Sequence, residues 1–348
     1  MSAALTGRTE AHVQDGPRLD DLGEAGVLSR IVALLPAGES TLLGPGDDAA
    51  VVAAPDGRVV VSTDVLVEGE DFRRDWSTGA DVGWKAAAQN LADVAAMGAV
   101  PTALVVGLAA PGRLPVSWAE DLARGLAAAC GPHGVGVVGG DLSAAAQVVV
   151  SVTVLGDLEG RSPVRRDGAR PGDVVAVAGT LGRSAAGLAL LRSGRPGDGA
   201  DLVATHLRPR PPLAAGPAAA LAGATAMIDV SDGLLLDLSR VAAASGVGVD
   251  LDRSDLAVHV DPLVGPLARL ADDGADGGTQ RGRSEALRAV LTGGEDHALA
   301  ACFPSGTALP PGFDVVGRVV AASPPGSVLL DGAPPPDGAA GWDHFTPR

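Results

Sequence analysis

The sequence predicts a mixed α/β protein of two lobes, on three observations. The chain has 348 residues, 46% hydrophobic and 20% charged, which is enough apolar material for more than one core and too much for a disordered chain. Short β-rich runs alternate with helix-period segments along most of its length. Pro, Gly and charge concentrate in "EGRSPVRRDGARPGD", which predicts a linker over 159–171 between an N-terminal domain over 21–158 and a C-terminal domain over 172–348.

The elements follow in order. Residues 1–20 are expected to form a disordered leader. From Leu22, the apolar residues Val27, Ile31, Leu34 and Leu35 have near-helical spacing, which Pro36 ends. A Gly-rich loop carrying Asp47 and Asp48 leads into "AAVVAA" and "RVVVSTDVLV". The intervening "PDG" turn predicts a hairpin whose second strand delivers Ser62, Thr63 and Asp64. A helix is predicted from Asp81 to Met97, closed by Gly98 and Pro101. Lys85, Gln89 and Asp93 recur on it every four residues and share one stripe. "TALVVGLAAP" reads as a strand and "VSWAEDLARGLAAACGPHG" as a helix. "GVVGGDLSAAAQVVVSVTVLGDLE" reads as strand, Gly-Gly-Asp turn and strand, with antiparallel pairing expected. In the second lobe "VVAVAGTLGRSAAGLALLRSG" is strand, Gly loop and helix. "ATAMIDVSDGLLLDLSRVAAASGVGVDLD" is strand, turn, helix and strand. The low-complexity stretch 271–284 is expected to be a mobile surface loop.

Composition excludes several functions. A net charge of −16 argues against a nucleic-acid surface, where affinity comes largely from Lys and Arg on phosphates. No apolar run is long enough for a membrane span and the N-terminus has no signal-peptide core, so a cytoplasmic location is expected. Lys85 is the one lysine, and no GxxxxGK[ST] surrounds it, which excludes a Walker loop. Cys130 and Cys302 stand far apart in apolar contexts and read as small buried hydrophobes rather than a disulfide or metal pair. The six histidines are scattered with no H-x-x-x-H spacing, which argues against zinc.

The chemistry resides in the acids. Asp47 with Asp48, Asp64, Asp93, Asp141, Asp229 with Asp232, and Glu295 with Asp296 each sit in small-residue settings near apolar runs. Singly, each has a plain reading as a turn or helix-cap acceptor. Together they place several carboxylates where an unpaired charge is costly. Asp93, on a helix of Ala, Leu, Val and Met, must face solvent, pair with a base or meet a cation. Several carboxylates with a hydroxyl such as Thr63 are the donors Mg²⁺ prefers, usually shared with phosphate oxygens. "VVGGDLS" and "AGTLGRSAAG" could each cradle phosphate, the second at a helix N-terminus. These residues read as a metal-dependent enzyme of phosphate esters or nucleotides.

"GPGDDAAVV", "VVSTDVLVEG", "KAAAQNLADVAAMGA", "VVGGDLS", "VRRDGARPGD", "GTLGRSAAGLALL", "HLRPRPP", "IDVSDGLLLDL", "LTGGEDHAL" and "GWDHFTP" follow one another in this order. The ordered set resembles the thiamine-monophosphate kinase family, in the superfamily that includes aminoimidazole ribonucleotide synthetase, over residues 22–347. The resemblance implies that superfamily's two-lobed fold and a homodimer whose N-terminal halves pair through β-structure. It also implies ATP as co-substrate, several Mg²⁺ ions, and K⁺ as a candidate monovalent ion. It makes Asp48, Ser62, Thr63, Asp64, Asp93, Asp141, Asp229 and Asp232 the metal set, with Asp47 left as a turn residue. Gly140, Asp141, Arg166 and Ser231 would touch ATP. Glu295 and Trp342 would meet the thiamine part, an aromatic face suiting a cationic thiazolium. Asp71, in "VEGEDF", stands where relatives commonly carry a substrate-side histidine.

The reaction the resemblance implies is in-line attack of the thiamine monophosphate phosphate on the γ-phosphoryl group of ATP, giving thiamine diphosphate and ADP. Asp48, Asp93, Asp141, Asp232 and Arg166 are the residues expected to carry it by positioning and charge neutralisation. The alternatives are another ATP-dependent member of the superfamily and a non-catalytic nucleotide- or metal-binding homologue.

Overall fold

The computed structural model describes residues 16–45, 49–270, 275–321, 324–335 and 341–342. The first lobe contains α1 (Leu19–Val32), β1 (Thr41–Leu43), β2 (Val51–Val52), β3 (Val60–Val67), α2 (Gly79–Ala96), β4 (Val100–Ala110), α3 (Val116–Cys130), β5 (Gly136–Ala144) and β6 (Val149–Asp157). The second contains β7 (Val174–Ala178), α4 (Arg183–Arg192), α5 (Ala200–Leu207), α6 (Ala215–Leu221), β8 (Ala226–Val230), α7 (Leu234–Ser245) and β9 (Gly248–Leu251). It is completed by α8 (Ala257–Leu270), α9 (Ala275–Thr292), β10 (Ala298–Phe303), β11 (Phe313–Val320) and β12 (Val328–Leu330).

A four-stranded sheet in the order β3-β6-β4-β5 organises the first lobe. Strand alternation gives its two faces different tasks. Ser62 and Asp64 point to the face covered by α2 and α3. Val61, Thr63 and Val65 point outward, in register with Leu155, Thr153 and Ser151 of β6. The outward face is open and mixes exposed valines with hydroxyls: Val61 is 63% and Val65 50% exposed.

A six-stranded, mostly antiparallel sheet in the order β12-β9-β11-β7-β10-β8 organises the second lobe. One of its faces packs on α4, α7, α8 and α9 through Leu190, Leu238, Leu263 and Val290. The other, with Ala176, Met227, Leu299 and Phe303, shares a continuous core with Leu91, Val94 and Ala95 of α2. Helix α2 is therefore central to both lobes. Its N-terminus is closed by a capping box, in which Thr78 Oγ1 accepts from the Asp81 amide and Asp81 accepts from the Thr78 amide. The helix ends at Gly98, which takes φ +73°.

Four expectations are corrected. Leu19 already begins α1 and is buried, so residues 19 and 20 are helical and not part of a leader; residues 1–15 lie outside the described residues. The hairpin does not form: β2 pairs with β1, and β3 instead runs in an eight-residue ladder along β6. The longer ladder satisfies more backbone groups than a two-residue strand can. Gly139 and Gly140 do not turn but lie inside β5, which pairs parallel with β4. A Cβ on Gly140 would stand 2.0 Å from the Val106 carbonyl oxygen, so this glycine serves close strand approach. The stretch 275–284 is helical as part of α9, whereas 271–274 lie outside the described residues.

Candidate active site

The stripe on α2 meets three other elements, one at each step. Lys85 Nζ donates to Glu295 Oε1 at 3.0 Å, and the Gln89 amide favours the charged form of Asp64 of β3. Asp93 Oδ2 accepts from Ser62 Oγ at 2.6 Å. Because Thr63 alternates to the other face, its hydroxyl donates to the Val152 carbonyl at 2.9 Å and lies 3.2 Å from that of Thr153.

The second lobe contributes the end of β8 and the turn beyond it. Asp237, fully buried on α7, accepts from the backbone amides of Ser231 and Asp232 at 3.1 and 3.0 Å. Arg240 Nη1 bridges Asp237 at 2.6 Å and Asp232 at 2.8 Å. The facing loop is tied to this turn. The Glu295 amide donates to the Ser231 carbonyl and the Trp342 amide to the Asp232 carbonyl. A Cβ on Gly294 would stand 2.0 Å from the Ser231 oxygen, so only glycine permits the contact. Glu295 and His297 both take positive φ, 64° and 52°, a strained backbone of the kind that clusters at functional sites.

Asp64, Asp71, Asp93, Asp229, Ser231, Asp232, Glu295 and Trp342 line one cleft of about 860 Å³ between the lobes. Burial, followed by repulsion from Asp229 and Asp64, pushes Asp93 up to about 7. Burial also raises Asp64, with Asp229 adding to it and His297 opposing it. His297 Nδ1 lies 3.4 Å from Asp229 Oδ2. Burial alone would lower this histidine, but the hydrogen bond and charge of Asp229 hold it above its ordinary value. Burial pushes Asp237 up to about 7 against its backbone hydrogen bonds.

Other residues of the predicted set lie elsewhere. Asp47 and Asp48 are outside the described residues. Asp141 is exposed on β5, accepting from Ser143 Oγ at 2.7 Å, and shares a register row with Gly107 and Ser151. Neither it nor Gly140 lines the cleft, and Thr63 looks away from it. Arg166 is exposed, its carbonyl accepting from Ser245 Oγ at 2.9 Å. The helix N-terminus after "GTLG" already holds an anion of the protein's own. Asp296 accepts from Thr180 Oγ1 and from the amides of Arg183 and Ser184 at 2.8, 3.2 and 3.1 Å. That loop is filled by Asp296 and presents no empty phosphate cradle.

Among the described residues no group of three or more His, Cys, Asp or Glu could hold a metal ion by itself. The cleft donors nevertheless fit a hard cation. They are oxygens, and Asp93 and Asp64 are raised by burial and by each other or Asp229, a repulsion a cation would relieve. Mg²⁺ commonly takes one or two carboxylates, with the rest of its shell from water and substrate phosphate.

Sequence reading missed the role of Asp237, although "LLLDL" gave a signal: an acid flanked by leucines on a buried helix face. His206 and His297 carried no such signal, because their partners Glu295 and Asp229 are distant in sequence or set by a strained loop.

Comparison with known proteins sets this geometry in a family. Residues 46–158 match the AIR synthase related protein N-terminal domain and residues 170–273 the corresponding C-terminal domain. The chain is 49% identical over 341 residues to the thiamine-monophosphate kinase of Mycobacterium tuberculosis H37Rv, covering 98% of this chain and 97% of that protein. It is 40% identical over 344 residues to that of Corynebacterium glutamicum, covering 96% of each. Among solved structures, the thiamine-monophosphate kinase of Stenotrophomonas maltophilia K279a superposes with a TM-score of 0.74 at 31% identity, over 90% of this chain and 97% of that one. AaThiL complexed with AMPPCP and TMP gives 0.71 at 32%, over 94% and 99%. Near-complete coverage by such relatives shows that the chain belongs to the thiamine-monophosphate kinase family, the ATP-dependent kinases of the AIR synthase related fold.

Proposed function

We propose that the cleft between the lobes transfers the γ-phosphoryl group of ATP to the phosphate of thiamine monophosphate, giving thiamine diphosphate and ADP. One observation carries the reading: carboxylates from both lobes line a single cleft that also contains Glu295 and Trp342. Asp64, Asp93, Asp229 and Asp232 would hold Mg²⁺, with Asp48, Ser62, Thr63 and Asp141 assigned by the resemblance. Bound there, Mg²⁺ would neutralise the charge of two anionic substrates beside an acidic protein. Ser62 fixes the Asp93 carboxylate through its hydroxyl, and Asp237 shapes the 231–232 turn, so that Ser231 is oriented toward ATP. Gly140, Asp141 and Arg166 are assigned to ATP by the resemblance alone. The acceptor phosphate is already ionised, so no residue is needed as a strong base.

Glu295 and Trp342 suit the cationic, aromatic part of thiamine. Asp71 accepts from the Val67 amide at 2.8 Å, closing a turn at the cleft wall. Its carboxylate would face the substrate where relatives carry histidine. The exposed valines on the outer face of the first sheet support the expected homodimer, since exposed apolar side chains on an open β-face mark an interaction site. The division into 21–158 and 172–348 about a linker and the cytoplasmic location are proposed on the sequence reading, and a K⁺ requirement on the resemblance. Among the described residues no helix is long and apolar enough to cross a membrane.

The test incubates the protein with Mg²⁺, ATP and thiamine monophosphate and separates the products. Thiamine diphosphate and ADP in equal amounts are expected. ADP without thiamine diphosphate, or neither product across a range of Mg²⁺ and K⁺, would overturn the proposal.

A further inference from the structure

Lys85 is the single lysine among 26 lysines and arginines, and it is 3% exposed. It stands beside Ala86, Ala87 and Ala88 on a helix buried between the lobes. A guanidinium is planar, broad and suited to a two-pronged acceptor, whereas an ammonium is a compact point charge. A slot of this kind accepts lysine where the rest of the chain uses arginine.

The Lys85 ammonium donates to one oxygen of Glu295, Oε1, at 3.0 Å. The other oxygen, Oε2, lies 3.4 Å from His206 Nδ1, and that same nitrogen is 3.0 Å from Ser184 Oγ. Lys85 does not line the cleft, but Glu295 and His206 do. Glu295 is further pinned by its positive φ and by its amide bond to Ser231. Lys85 thus holds from behind a carboxylate whose open side, 35% exposed, faces the cleft.

We propose that Lys85 is a positioning residue that fixes the Glu295 carboxylate, with His206 on its second oxygen, to receive the cationic ring of the phosphoryl acceptor. This rests on the kinase reading above and adds a determinant of acceptor recognition. The electrostatics agree. Burial would raise Glu295, but the Lys85 charge brings it below its ordinary value. Burial, aided by Lys85, lowers His206 to about 4, so Lys85 and not His206 supplies the positive charge at neutral pH. Without Lys85, the Glu295 carboxylate loses the charge that opposes its desolvation and the donor that holds Oε1.

Lys85→Met keeps the length of the side chain and removes the charge. The expected result is a rise of about ten-fold or more in KM for thiamine monophosphate, with KM for ATP within about two-fold and kcat changed less than the acceptor KM. His206→Asn releases the other oxygen and is expected to raise the same KM about three-fold, which gives a second reading if Lys85→Met does not fold. In Lys85→Met/Glu295→Gln the two effects should fall short of additive, because both act through one carboxylate. An active wild type whose folded variants keep the acceptor KM, or raise both KM values equally, overturns the positioning role alone. A wild type that makes no thiamine diphosphate overturns the kinase reading and this proposal with it.

Discussion

The two walls of the cleft treat their carboxylates differently. On the second-lobe wall each acid has a basic partner: Asp232 and Asp237 share Arg240, Asp229 has His297, and Glu295 has Lys85 and His206. On the first-lobe wall Asp93 accepts from the Ser62 hydroxyl, and neither Asp64 nor Asp93 has a basic side chain within salt-bridge distance among the described residues. The second-lobe acids are matched by bases, Lys85 reaching across to Glu295 from α2 of the first lobe, whereas Asp64 and Asp93 are the acids that the proposed Mg²⁺ would meet. A buried acid without a partner is costly to the fold, so the first-lobe wall is where function and stability conflict.

The sharpest way to break this contrast is Asp93→Asn. Turnover is expected to fall by roughly three orders of magnitude or more, the scale of removing a preorganised electrostatic group, while circular dichroism stays native. Activity within ten-fold of wild type would remove Asp93 from the phosphoryl-transfer site. On the other wall, Asp237→Ala leaves two backbone amides and Arg240 without their acceptor. A loss of about 3 kcal/mol in urea denaturation is expected, and a loss under about 1 kcal/mol would show that the 231–232 turn holds without it.

The same Asp93→Asn variant should be more stable than wild type when metal is chelated. A carboxyl raised to about 7 keeps its proton in the folded state over a range in which the unfolded chain has lost it. Its contribution is therefore fully present below about pH 4 and is lost as pH rises through 7. The variant, which has no proton to lose, is expected to gain about 2 kcal/mol over wild type at pH 8, with no gain near pH 4. A gain that does not vary with pH would contradict the charge argument. The smallest effect is expected from Arg240→Gln, since its pair with Asp232 is partly exposed and the buried Asp237 keeps the amides of Ser231 and Asp232 as donors. It should cost about 1 kcal/mol, and a measurement in 1 M salt should find the cost reduced.

Much of the cleft was legible in the sequence because it follows short-range periodicity. Lys85, Gln89 and Asp93 at four-residue spacing required a common face, and the strand alternation around Ser62 and Asp64 did the same. Where reading failed, long-range pairing had decided the outcome. β3 chose β6, some 90 residues away, over its neighbour, and Gly140 was needed for approach to β4 and not for a turn. Asp296 was visible as an acid, but nothing local indicated that it would fill the helix N-terminus after "GTLG". Arg166 entered through resemblance, whereas Asp141 and Gly140 were also read from "VVGGDLS"; their positions away from the cleft follow from the register of β5 on β4, which no single stretch encodes.

The position of α2 has a further consequence. Asp81 pairs with Arg208, Trp84 Nε1 donates to the Pro209 carbonyl at 2.6 Å, Lys85 reaches Glu295, and the far end of the helix enters the core under Phe303 and Met227. Parting the lobes would break these bonds and wet an apolar sheet face at once. Two halves joined in this way have no independent melting point. Heat should carry the chain through one cooperative transition.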